Sequence, residues 1–293
     1  MTTTRYLTDE QERQFLDAGF CVVPGAIDRE FCRLQCERML DHIGITADDP
    51  ATWTVERLHC ACLDPFLWRD IAPVAWGVIN ELLRPGQVPP DSPCGNGMII
   101  NFKAGAGAPW QPPGPDSPGW HKDGNFFRHF LDSPEQALLA IVIWQDIGPR
   151  GGGTFYAPDS VGHVARFLAA HPEGVRPDGL PVLELVRQCR DFREITGRAG
   201  DVILLHPYML HAASPNPSGI PRFITNPNVA VTEPLCFDRP DGGYSVLERS
   251  ILQALGVDRL DWRITGERER YAPGHLKGYE AFMQARRGAA SPA

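Results

Sequence analysis

The chain has 293 residues, enough to bury a sizeable core, and its 43% hydrophobic and 22% charged content is that of an ordinary globular protein. Its formal net charge is −8 with no basic stripe, which argues against nucleic acid as a partner and gives no general attraction to an anionic membrane. No apolar run approaches transmembrane length, MTTTRYLTDEQ has no signal core, and the eight cysteines form no CxxC pair, so the expectation is a cytoplasmic protein with reduced thiols.

LTDEQERQFLDAGF predicts a helix, with Thr8 and Gln11 as a capping box and Gly19 as its stop. FCVVPG follows as a short buried strand, and Asp28 is placed to cap a second helix whose apolar face includes Phe31, Leu34 and Ile43. HCAC at 59–62 reads as buried thiols beside a core histidine, because no second ligand pair with zinc spacing follows. Residues 64–84 predict a helical stretch interrupted near Pro73.

From about residue 95 short strands take over. NGMIINFKAG reads as a strand, and AGAPWQPPGPDSPGW as a loop, since its prolines leave few backbone donors. ALLAIVIWQDI is a buried β-branched run, PRGGG a turn and TFYAPDS a strand. VGHVARFLAAHP predicts a helix, while VLELVRQC and FREITG look strand-like. GDVILLHPYMLHAAS reads as a turn feeding one strand, PRFITNPNVAVTEP as the return strand, and everything after about 240 as surface helix and loop. Helices first and many strands afterwards predict one mainly β domain: a helical buttress about 7–90, a jelly-roll (double-stranded β-helix, cupin-like) core about 95–235, and a tail about 236–293.

The chemistry gathers around GWHKDGN. On a strand, His121 and Asp123 would point to the same side and Lys122 away from it. One imidazole and one carboxylate are two-thirds of the two-histidine, one-carboxylate set that holds non-haem iron and leaves positions open. Two histidines in LLHPYMLHAASPN, His206 and His211, are candidates for the third ligand. Arg222 opens the return strand RFITN, where a buried guanidinium needs an anion, supplied by a ligand carboxylate or by a structural Asp or Glu.

Taken together, these segments resemble the phytanoyl-CoA dioxygenase family of Fe(II)/2-oxoglutarate-dependent oxygenases. LTDEQERQFLDAGFCVVPGAID is similar to that family's N-terminal signature, WHKD to its HxD metal motif, GGGTFYAPDS to its Gly-Gly strand and Pro-x-Ser turn, and GDVILLHPYMLHAASPNPSGIPR to its distal-histidine segment. The resemblance implies that His121, Asp123 and His211 hold Fe(II) and that Arg222, eleven residues after His211, binds the distal carboxylate of 2-oxoglutarate. It also implies an aromatic lining of the co-substrate pocket at Trp144, a polar contact at Asn101 and a weaker one at Lys103. Ala213 stands where the family often has a serine assisting the arginine.

The activity so implied consumes 2-oxoglutarate and O2, releases succinate and CO2, and hydroxylates a C–H bond; Asp123 favours oxygenation over halogenation. Desaturation, epoxidation or ring rearrangement would be variations on the same chemistry. The loops around HxD suggest a lid of Trp110, Phe126, Phe127 and Phe130, with Arg128 and His129 reading a polar group on a small, partly apolar substrate such as a secondary metabolite or modified amino acid. Two competing readings are a catalytically silent binding protein on the same scaffold and a cupin-like metalloenzyme that uses no oxo acid.

Overall fold

The computed structural model describes residues 5–95, 97–272 and 277–289. Helix α1 (Asp9–Ala18) starts on reciprocal hydrogen bonds between Thr8 and Gln11 and leads into β1 (Phe20–Val23). Asp28 caps α2 (Arg29–Ile43), accepting the Phe31 N–H at 2.8 Å. After β2 (Arg57–His59) come α3 (Trp68–Ile71) and α4 (Pro73–Leu83), which are separate helices because Pro73 opens the first turn of α4 and cannot donate back into α3. Then follow β3 (Ile99–Asn101), β4 (Leu138–Ile143), β5 (Phe155–Ala157), α5 (Ser160–Ala169), α6 (Val182–Val186), β6 (Arg193–Glu194), β7 (Val202–Leu205), β8 (Leu210–Ala212), β9 (Arg222–Thr225), β10 (Asn228–Val229), α7 (Val246–Leu255) and α8 (Lys277–Ala289).

The strands form two antiparallel sheets, the jelly-roll arrangement, with helices outside. The larger has the order β1-β7-β4-β9-β3-β2, and β10 pairs with β4 beyond the end of β9. The smaller has the order β6-β5-β8. Alternation along β4 explains the unbroken apolar run: Leu139, Ile141 and Ile143 enter the core between the sheets, while Leu138, Ala140 and Val142 enter the core beneath the helices. β7 divides the same way, with Ile203 and Leu205 inward and Val202 and Leu204 toward the helices.

Four expectations change. The N-terminal segment is more than a helical buttress, because its strands β1 and β2 are the two edges of the larger sheet. VLELVRQC contains a short helix, α6, packed on α5, rather than a strand; its Leu and Glu content suits a helical turn, and Leu185 and Val186 bury its inner side. The segment after 240 is not merely surface, since α7, capped by Ser245 and Glu248, buries Val246, Leu247, Ile251 and Leu252 against α1 and α5. Finally, VILLHPYMLHA is two strands in different sheets: β7 ends at Leu205, and His206–Met209 cross over to β8.

That crossover decides between the two histidines. His206 is fully buried against Phe15 and Tyr208, and its Nδ1 accepts the Tyr208 N–H at 3.1 Å. Burial, with the charge of Lys122 adding, pulls its pKa down to about 3; His129, buried beside Lys122, is pulled down to about 2 for the same reasons. Both rings are therefore neutral in the folded chain but take up protons near pH 6.5 once unfolded. Stability contributed by that difference is full above pH 6.5 and is lost as pH falls toward 3. Chemical denaturation at pH 5.5 is expected to show a loss of about 1.4 kcal/mol per histidine relative to pH 7.5, and His206→Gln is expected to flatten that slope while lowering stability at neutral pH.

Candidate active site

A cavity of about 450 Å³ opens between the two sheets. β8 enters it from the smaller sheet with His211 at its centre, paired with Tyr156 on one side. On the other side, His121 and His211 exchange both backbone hydrogen bonds, at 2.9 and 3.0 Å, in a single antiparallel bridge. This pairing sets the two imidazoles side by side with ring centroids 4.2 Å apart. Asp123 completes the group: Oδ1 lies 3.5 Å from His121 Nε2, and Oδ2 lies 3.6 Å from His211 Nε2. One donor atom from each residue falls within 4.8 Å of the others, so a single ion can reach all three.

The HxD motif is not on a strand, as alternation predicted. Only His121 pairs, and the chain bends at Asp123. The bend is held from below: Lys122 Nζ donates to the Asp123 carbonyl at 3.0 Å and lies 3.1 Å from His129 Nδ1. Gly124 follows at φ +107, and a Cβ there would lie 2.5 Å from the Phe127 ring.

The protonation pattern suits a metal. His121 Nδ1 lies 2.8 Å from the Gly119 carbonyl and His211 Nδ1 lies 3.2 Å from the Met209 carbonyl. A carbonyl only accepts, so both Nδ1 atoms carry a proton and both Nε2 atoms turn toward Asp123. Burial alone would push the Asp123 carboxyl up, but the charges and hydrogen bonds of His211 and His121 outweigh it and hold it well below the usual carboxylate range.

Arg222, at the start of β9, enters the same cavity almost wholly buried. Its Nε donates to the Gly152 carbonyl at 2.8 Å and its Nη1 to the Ile99 carbonyl at 3.1 Å. Gly152 can offer that carbonyl because it sits at φ +77 in the PRGGG turn, where a Cβ would strike Asn216. No carboxylate lies within ion-pair distance of Arg222 among the described residues. Burial, with Arg57 adding, pulls its pKa down to about 9. A buried guanidinium held by carbonyls, with no counter-charge among the described residues, is suited to an anion.

Other expected site residues lie elsewhere. Trp144 points to the helical side, against Phe31, with Nε1 donating to Thr225 Oγ1 at 3.1 Å; it has the opposite parity to Ile141, which does line the cavity. Asn101 spends its side chain on loops, donating to the Ser214 carbonyl and accepting the Ala104 N–H, both at 3.0 Å. Lys103 lies in the turn beyond it, outside the lining. Phe127, His129 and Phe130 are buried in the loop after HxD, and Phe126 is half-buried. Arg128 is committed to Glu269 at 2.9 Å. Trp110 packs edge-on to Phe155 beneath the Arg150 guanidinium. None of these lid residues lines the cavity. Ala213 does, and so do Arg57, His59, Thr154 and Asn226, which the sequence reading missed. Asn226 was legible: residues 222, 224 and 226 alternate onto one face, and its Nδ2 donates to Asp123 Oδ2 at 3.0 Å.

A second cluster, Asp159, His163 and Cys189, is less suited to a cation. Arg166 Nη2 lies 3.2 Å from His163 Nδ1, and burial pushes the Cys189 thiol up to about 12. The HCAC cysteines join no such cluster among the described residues.

Two imidazoles and one carboxylate on one side of a cavity, facing a buried cationic anchor, define the site of a mononuclear non-haem iron oxygenase that takes an oxo-acid co-substrate. A family model for phytanoyl-CoA dioxygenase (PhyH) matches residues 15–224, and the chain belongs to that family of Fe(II)/2-oxoglutarate-dependent enzymes. No curated protein sequence matches it. Among solved structures, HygX from Streptomyces hygroscopicus with nickel, 2-oxoglutarate and hygromycin B bound is similar at TM-score 0.41 and 19% identity, over 77% of this chain and 88% of that one. The epimerase SnoN in complex with Fe3+, alpha ketoglutarate and nogalamycin RO gives 0.42 and 16%, over 76% and 82%. AviO1 from Streptomyces viridochromogenes Tue57 gives 0.42 and 17%, over 80% and 98%.

Anaerobic Fe(II) titration is expected to give one tight site per chain. His211→Ala should abolish it, whereas His206→Ala should keep it and lose stability; the reverse result would assign the wrong histidine to the metal.

Proposed function

We propose that the protein is an Fe(II)- and 2-oxoglutarate-dependent hydroxylase acting on a C–H bond of a small, partly apolar organic molecule, of the secondary-metabolite or modified-amino-acid type. The observation that carries this reading is the shared cavity, in which a three-donor set converges on one point and an unpaired buried arginine lies within the same walls. Iron and 2-oxoglutarate, when bound, would supply with O2 an oxidant able to cleave a C–H bond, one oxygen atom ending in succinate, released with CO2, and the other in the hydroxylated product.

The chain's own contribution is position and polarity. His121 and His211 would offer Nε2 to the ion, because their Nδ1 protons are engaged by backbone carbonyls. Asp123 stays ionised across the physiological range and supplies the negative charge that attracts a cation. Arg222 takes the distal carboxylate of the co-substrate and so aims its oxo-acid end at the metal ligands. Ile99, Ile141, Ile224 and Pro118 make much of the remaining wall apolar, which supports a partly apolar substrate and keeps water from the reacting carbon. The eight cysteines, none in a disulfide among the described residues, support a reducing, cytoplasmic setting, and no helix among the described residues is long and apolar enough to cross a membrane.

Purified protein supplied with Fe(II), 2-oxoglutarate, O2 and a panel of small metabolites is expected to form succinate stoichiometrically with an oxidised product. Arg222→Leu should raise the 2-oxoglutarate KM by roughly 100-fold or more, with activity partly restored at high 2-oxoglutarate. Unchanged turnover in that variant would instead indicate a metalloenzyme that uses no oxo acid.

A further inference from the structure

β9 serves the cavity at both of its ends. Arg222, Ile224 and Asn226 are alternate residues that all line the cavity, so one face of the strand carries the anion anchor at one end and an amide beside the metal ligands at the other. Asn226 falls where the strand is interrupted: β9 pairs with β4 through Thr225, and β10 resumes at Asn228. Freed from the ladder, its side chain reaches Asp123, and Nδ2 donates to Oδ2 at 3.0 Å. The amide orientation follows from chemistry, because an ionised carboxylate can only accept.

Resting on the reading of His121, Asp123 and His211 as the metal set, we infer that Asn226 is a positioning residue that makes Asp123 a one-oxygen ligand. A carboxylate can hold a metal through one oxygen or both. The second mode would occupy a coordination position that a chelating oxo acid needs. The Asn226 N–H engages Oδ2 and leaves Oδ1, on the His121 side, as the free donor. The same strand that grips the far end of the co-substrate thus keeps space open for its near end. Groups hydrogen-bonded to metal ligands typically change metal affinity or activity by 10- to 100-fold when removed.

The test is the charge-transfer absorption that an Fe(II)–2-oxoglutarate chelate develops without oxygen, measured in the whole protein before any turnover. Asn226→Leu, which keeps the bulk and removes the donor, is expected to bind 2-oxoglutarate about 10-fold or more weakly with a weakened or shifted band, and in turnover to form succinate in excess of product. Asn226→Gln, which keeps the donor, should recover part of the band. If Asn226→Leu does not fold, Asn226→Ala, which removes the N–H without adding a charge, is read the same way. A folded variant with the wild-type band, 2-oxoglutarate affinity and succinate-to-product ratio overturns the inference, even if it is less stable. A wild-type protein that develops no band at all overturns the reading of the site itself, so the two failures are distinguishable.

Discussion

One pair of backbone hydrogen bonds, between His121 and His211, is the constraint on which this site depends. The residues are ninety positions apart, and nothing in either local segment directs one imidazole toward the other. β8 is anchored in the smaller sheet through β5, and the bridge hangs the HxD segment from its free edge. Once that register is set, Asp123 is two residues away from a ring it must face, and the remaining geometry follows from the bend that Lys122 and Gly124 hold. A slip of one residue would turn His211 away from the cavity and leave its neighbours in its place.

The electrostatics are arranged around groups that folding leaves incomplete. Asp123 is ionised between two imidazoles, and Arg222 is buried with carbonyl partners but no counter-anion among the described residues. Burying Arg222 without a carboxylate partner costs folding free energy, since an uncompensated buried charge is worth roughly 3–5 kcal/mol. An anion at the arginine would offset that cost, and a cation at the three donors would add binding free energy of its own. Stability of the fold and occupancy of the site are therefore linked by mass action, and both ligands favour the folded chain.

Much of this was legible in the sequence, for reasons that can be named. Helix α1 and its cap, the cap of α2, the break at Pro73, and β1, β3, β4, β5 and α5 all rest on local signals that tertiary packing did not override. The His-x-Asp segment, the distal histidine pair and the arginine were all visible as residue types. Errors fell where a neighbour distant in sequence decides. Trp144 lies next to inward-facing Ile143 and so faces the helices, as strand parity dictates. Phe127, Arg128 and Trp110 look like a lid in one dimension, yet Arg128 pairs with Glu269 and Phe127 is sealed in the interior. Helix α7 seemed peripheral because its partners, α1 and α5, lie far from it along the chain.

Sequence alone determined the inventory of donors: the two imidazoles, the carboxylate and the guanidinium, together with the family to which their order belongs. It could do so because residue chemistry and short-range spacing are local properties. Tertiary structure decided which histidine faces His121 and Asp123, that the expected aromatic residues lie outside the cavity lining, and that Asn226 touches Asp123. Those outcomes depend on strand register and on a crossover between sheets, and both are fixed only when segments far apart in the chain exchange hydrogen bonds and divide their side chains between two cores.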